Sequence, residues 1–237
     1  MPSKKMEEAA HIILIVHIIC GSIALLSGPV AMLNQTGNNL HRLSGKLFFY
    51  AMSVVFVTAI YLSIVHHLLF LFLIAIFSYY NIVIAYRALY LKKLGNGQKP
   101  KLIDWIITII TSVLHGSLIV WGIYVSFIMG QSFGSVAVIF GSIGGLMNIR
   151  AFKHYINGYR EKNDWLIVHI SGMIAGYIAA TTAFLVNVIT FQPSFILWLA
   201  PSVIFVPYII YTTRKFKKKF NKGKQVSELA RIEIMQN

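Results

Sequence analysis

Seven long apolar runs, joined by links that are alternately bare and basic, leave this chain few folds to choose from. The runs fall near 11–33, 41–65, 68–91, 105–128, 135–155, 165–189 and 195–216. Most reach the roughly 20 residues that a helix needs to cross about 30 Å of hydrocarbon. The links at 65–68, 128–134 and 189–195 hold no Lys, Arg, Asp or Glu. Arg42 and Lys46 occupy the link at 34–46, and Arg87, Lys92, Lys93, Lys99 and Lys101 that at 87–104. Arg150, Lys153, Arg160 and Lys162 occupy the link at 150–164, and the other basic residues, Lys4 and Lys5 apart, follow residue 213. Cytoplasmic links carry the excess of Lys and Arg, so the alternation predicts the N-terminus outside and the C-terminus in the cytoplasm. The fold class expected is all-α, a seven-transmembrane-helix bundle. It has one transmembrane domain over 1–216 and a basic cytoplasmic tail over 217–237.

Composition agrees with a chain dissolved in lipid, at 57 % hydrophobic and 12 % charged residues. The formal net charge of +14 does not point to nucleic acid, because the charge is confined to helix ends and tail. There it faces anionic lipid headgroups, above all through Arg214–Lys224, where Phe interleaves with Lys. Cys20 is the only cysteine, which rules out an intrachain disulfide and a thiolate metal site. Lys4 and Lys5 before an apolar run resemble a secretory signal, but the run is long and no small-residue cleavage site follows; the segment is expected to stay.

Several local signals refine the spans. Gly28-Pro29 predicts a kink in the first, tolerable where a neighbouring helix satisfies the freed carbonyl. The second and third spans meet in a tight hairpin at His66-His67, and Gly95-Asn96-Gly97 with Pro100 marks a true loop. Trp105, Trp165 and Trp198 are read as interfacial anchors. Gly141 and Gly145, and Gly172 and Gly176, form G-x-x-x-G pairs that let helices approach closely and are compatible with a homo-oligomer.

The chemistry inside the membrane is read from what is polar there. All acidic residues (Glu7, Glu8, Asp104, Glu161, Asp164, Glu228 and Glu233) fall in links or tails. That lowers the expectation of a proton-coupled transporter or a carboxylate metal site. Histidine remains. His17, His115 and His169 lie inside spans and His41 opens one, and an ionisable residue at such depth is a functional hypothesis by default. His17 shares a helical stripe with Gly21, Ala24 and Gly28. His115 shares one with Thr108, Thr111, Ser112, Gly122 and Ser126, and His169 one with Gly172, Gly176, Ala180 and Asn187. From the helix rise, His17 lies roughly 9 Å below the outer boundary and His169 about 6 Å above the inner one.

Two tiers follow, His17 with His115 in the outer half and His41 with His169 near the inner face. Facing histidines on different helices are suited to clamp haem b, as axial ligands to its iron. Arg42, Lys46, Arg150 and Arg160 stand where haem propionates need cations. Each histidine also has a plainer reading, a hydrogen bond between helices typically worth about a kilocalorie per mole or less.

Beyond the residues taken singly, His17 with Gly21 and Gly28-Pro29, His41-Arg42-x-x-Gly45-Lys46, and Trp165-x-x-x-His169 followed by Gly176 to Asn187 resemble a bacterial family of multi-pass membrane proteins of unknown function. The resemblance covers most of the chain, and the His-Arg-x-x-Gly element and the His169–Asn187 helix are its most specific parts. The chain departs from that pattern near Ser171, where it has no Arg. The resemblance implies a bacterial cytoplasmic (inner) membrane and no settled activity. Three functions are therefore carried forward: a b-type haem electron-transfer protein with bis-histidine ligation, a small-solute transporter with a polar path along Thr108–Ser126, His169 and Asn187, and a non-catalytic membrane assembly protein.

Overall fold

A computed structural model describes residues 4–193 and 195–236, with side chains from Lys5 to Asn221 apart from residue 194. Among them lie seven helices and no strand: α1 (Lys4–Leu33), α2 (Asn39–Val65), α3 (Leu69–Ala88), α4 (Leu102–Phe127), α5 (Gly134–Asn157), α6 (Asp164–Val188) and α7 (Phe195–Gln236). Each is long and apolar enough to cross a membrane, α7 over Phe195–Asn221. The exterior is apolar: Val120 is 68 % and Val203 72 % exposed, while Thr108 and Asn148 are buried. Apolar side chains outside and polar ones inside are what hydrocarbon solvent selects.

The helices form two groups that share α3. In the first, α1, α2, α3 and α6 make a four-cornered arrangement, each packing on its neighbours, while α2 and α6 lie across a diagonal and meet only through long side chains such as Phe48 and Tyr177. Its centre is plugged by Ala24, Phe48, Met52, Ile82 and Tyr177. In the second, α4 and α5 pack closely and both lean on α3. Phe70, Phe77, Leu118, Val136, Phe140 and Trp198 fill the end of this group nearest the bare links. α7 closes the bundle against α6, through Phe205, Tyr208 and Ile209 on Ile170, Ile174 and Ile178.

Local chemistry explains the joints. Pro29 has no N–H to give to the carbonyl of Leu25, four residues earlier. The Tyr177 hydroxyl donates to that carbonyl at 3.3 Å, so α6 satisfies the group that Pro29 frees in α1. The Asn38 side chain caps α2 by accepting from His41 N at 2.7 Å. At the basic end the α3–α4 and α5–α6 links cross. Tyr159 N donates to Leu94 O at 3.0 Å, and Gly95 and Gly158 meet backbone to backbone with φ of 92° and 74°. A Cβ on either glycine would strike the other's main chain. The buried Leu91 and Leu94 pack there on Ala151 and Tyr155, so this link is a packed lid over the bundle end.

Two expectations need correction. Trp198 is 8 % exposed and lies edge-on to Phe70 and Phe133, inside the core where an interfacial anchor was expected. Asp104 is in the first turn of α4, not in a link, and is 1 % exposed. It is held by a two-pronged ion pair with Arg87 (Nε–Oδ1 2.6 Å, Nη2–Oδ2 3.0 Å) and accepts from Lys101 N at 2.8 Å. A buried carboxylate needs such a partner, and arginine's planar fork supplies it.

Candidate histidine site at the basic end

His41 and His169 meet. Their ring centroids are 6.5 Å apart at an interplanar angle of 73°. The four-cornered group brings this about: α2 and α6 send one ring each along one diagonal, and α1 and α3 supply the other corners. His41 Nδ1 donates to Ala31 O at 2.9 Å, and His169 Nδ1 donates to Ala85 O at 3.0 Å. Both acceptors lie in the last turns of their helices, α1 ending at Leu33 and α3 at Ala88. The final four carbonyls of a helix have no partner within it, so each imidazole satisfies an orphan.

A carbonyl oxygen only accepts, so both Nδ1 atoms carry the proton. In the neutral rings each Nε2 is then a bare lone pair. This is how metal-binding histidines are commonly held, with the second nitrogen donating to a main-chain carbonyl that fixes tautomer and ring angle. The surroundings are electropositive. Arg42, Lys46 and Lys92 are exposed near this end, and Lys92 Nζ stands 4.6 Å over the Trp165 ring. Arg150 and Arg160 are exposed as well, on the α5–α6 side of the bundle.

The outer tier is not assembled. Among the described residues α1 and α4 make no close backbone approach, so His17 and His115 belong to different helix groups. His17 Nδ1 pairs with Thr58 Oγ1 on α2 at 2.8 Å. His115 Nδ1 bonds Asn148 Oδ1 on α5. The spacing that gave depth along each helix carries no information about which helices are neighbours. Among the described residues no group of three or more His, Cys, Asp and Glu gathers as a metal site. The polar transport path also divides. Thr108, Thr111 and His115 face the α3–α4–α5 interior, His169 faces the other group, and Asn187 is exposed with its amide on Ala183 O.

Three of the four glycines in the G-x-x-x-G pairs pack against other helices of the chain. Gly141 lies against Ile119 and the His115 carbonyl, Gly172 against Asn81 and Ala85, and Gly176 against Ile82. Gly144 lies against the His115 ring, and Gly145 touches nothing within 4 Å.

Sequence reasoning missed Tyr80, Asn81 and Asn148, each buried at 3 % exposure or less. Asn148 Nδ2 donates to Thr108 O at 3.0 Å and Thr111 Oγ1 at 2.9 Å. The signal available was an amide, a phenol and a histidine at similar depth in three spans.

Fold and site define a class: an integral, multi-pass α-helical membrane protein with paired histidines at one end of its bundle. Compared with protein-family models, with curated proteins and with solved structures, the chain matches none.

Proposed function

We propose that the protein is a membrane electron carrier in which His41 and His169 are the axial ligands of one b-type haem at the basic end. One observation supports this reading above the others. Two imidazoles from different helices approach to 6.5 Å, each with Nδ1 tied to a main-chain carbonyl and Nε2 left as a lone pair. A haem held there supplies one-electron redox chemistry at an iron tuned by its ligands. The protein's part is to hold both rings in the ligating tautomer and to place Arg42 and Lys46 where carboxylates can be paired. With the outer histidines apart, the reading is of one haem, not a relay of two.

The reading includes a bacterial cytoplasmic membrane with the basic end in the cytoplasm. The tail fits that side. Lys215, Lys217, Lys218 and Lys219 are exposed, and the Phe216 and Phe220 rings lie 6.1 Å apart, which suits an anionic leaflet. Lys222 and Lys224 lie outside the described side chains.

The test is a reduced-minus-oxidised absorption spectrum of protein expressed with added haem and purified in mild detergent. The expected result is sharp reduced bands at one haem per chain, abolished by His41→Ala and by His169→Ala and kept in His17→Ala and His115→Ala. A flat spectrum from monodisperse protein would overturn the proposal.

A further inference from the structure

The α3–α4–α5 group holds a second polar feature that the histidine pair does not use. It starts at the Arg87–Asp104 ion pair at the basic end and climbs α4 to His115, eleven residues on and so about 16 Å away along the axis. Tyr155 from α5 stands between that pair and Thr108, and the Tyr80 phenol from α3 approaches Thr108 and Thr111. The Tyr80 and His115 ring centroids are 5.5 Å apart. Asn148 ties the upper part together, bonding Thr108 O, Thr111 Oγ1 and His115 Nδ1.

Three atoms along this column have no protein partner: Tyr80 Oη, Thr108 Oγ1 and His115 Nε2. Their residues are 3 %, 0 % and 1 % exposed. Because the Asn148 carbonyl oxygen accepts from His115 Nδ1–H, as its amide nitrogen is spent on Thr108 and Thr111, the orphan Nε2 is an acceptor. Buried polar atoms left unpaired by protein are those that ordered water satisfies, and a polar site with several partners is where water persists. Beyond His115 the surroundings turn apolar. Phe77 is edge-on to the histidine, Phe140 packs on Phe77, and Leu118 and Val136 are fully buried.

We propose that this column is a hydrated proton wire, entered beside the partly exposed Arg87 side chain under the Leu91–Leu94 link and sealed at Phe77 and Phe140, that delivers protons to His115 Nε2. The proton comes from bulk water at the basic end. It passes along water and the Tyr155, Thr108 and Tyr80 hydroxyls and forms a new N–H bond at His115. Each hydroxyl releases one proton as it accepts another, so nothing is oxidised or reduced. The groups facing this route are Tyr80 and Arg87 from α3, Asp104 from α4 and Tyr155 from α5, and the Arg87 and Asp104 charges neutralise each other at its mouth. The seal makes His115 exchange protons with one side of the membrane only. The site is separate from the His41–His169 pair and stands whether or not that pair binds haem.

Millisecond hydroxyl-radical footprinting of the wild-type protein in liposomes tests the water, since radicals formed in bound water mark the side chains beside it. Tyr80 and Tyr155 are expected to be modified at rates comparable with exposed Tyr90, while Phe70 and Phe140 stay unmodified. Protection of Tyr80 and Tyr155 to the level of Phe140 would overturn the wire, and modification of Phe140 would overturn its seal. Nitrogen NMR of ¹⁵N-histidine protein, with the signal assigned by His115→Gln, tests the proton. His115 is expected to become imidazolium as the bath falls from about pH 8 to pH 5, the range in which histidine switches. A His115 that stays neutral throughout would overturn proton delivery even in a hydrated column.

Discussion

Each histidine inside the bundle commits its Nδ1 to a different kind of partner, and that commitment separates their roles. His17 faces a threonine hydroxyl, His115 an asparagine carbonyl, and His41 and His169 the frayed carbonyls of two helix ends. Only the last two bring their rings together. The same scale holds the most sensitive ion pair. Replacing Arg87 by Leu leaves Asp104 buried without its partner, and losing one member of a buried pair costs about 3 kcal/mol or more. Thermal unfolding in detergent should show that loss in Arg87→Leu, whereas Arg160→Leu at an exposed position should stay close to wild type. Equal melting of the two variants would mean that the Arg87 pair is no more than a surface contact.

Among the elements, α4 and α5 meet through glycine against main chain along one seam. A Cβ at Gly122 would lie 2.7 Å from Gly134 O and 2.8 Å from Val138 N, main-chain atoms that cannot swing aside. Gly122→Ala should therefore push the helices apart at about 1–3 kcal/mol, the usual cost of overpacking. Gly45 and Gly116 have nothing within 4 Å of the same position. Alanine there should be neutral or favourable by up to about 1 kcal/mol, through helix propensity alone. Chemical denaturation of the three variants separates the cases, and a Gly122→Ala protein as stable as Gly45→Ala would show that the α4–α5 seam yields. The Gly141–Gly145 spacing was legible in the chain, but not which glycine faces inward. Spacing gives the stripe, and only the neighbouring helix picks the side.

For the whole molecule, the distribution of basic residues makes a prediction that packing does not. With Lys and Arg gathered in alternate links, the tail is predicted to lie in the cytoplasm. A fluorescent protein fused after Asn237 should be bright and a phosphatase fused there inactive; the reverse pair would invert the topology. Seven long apolar helices could be read from the chain, because hydrocarbon thickness and backbone hydrogen bonding act on each segment alone. The helix rise put His41 and His169 at one level, and their rings do meet. Adjacency could not be read this way. That α2 and α6 face each other across α1 and α3, that among the described residues α1 makes no close approach to α4, and that Tyr80 and Asn148 converge on His115 are results of how side-chain shapes interlock between segments far apart in sequence. Such contacts depend on two surfaces at once, and a pattern of apolar and polar residues along one chain records each surface without its partner.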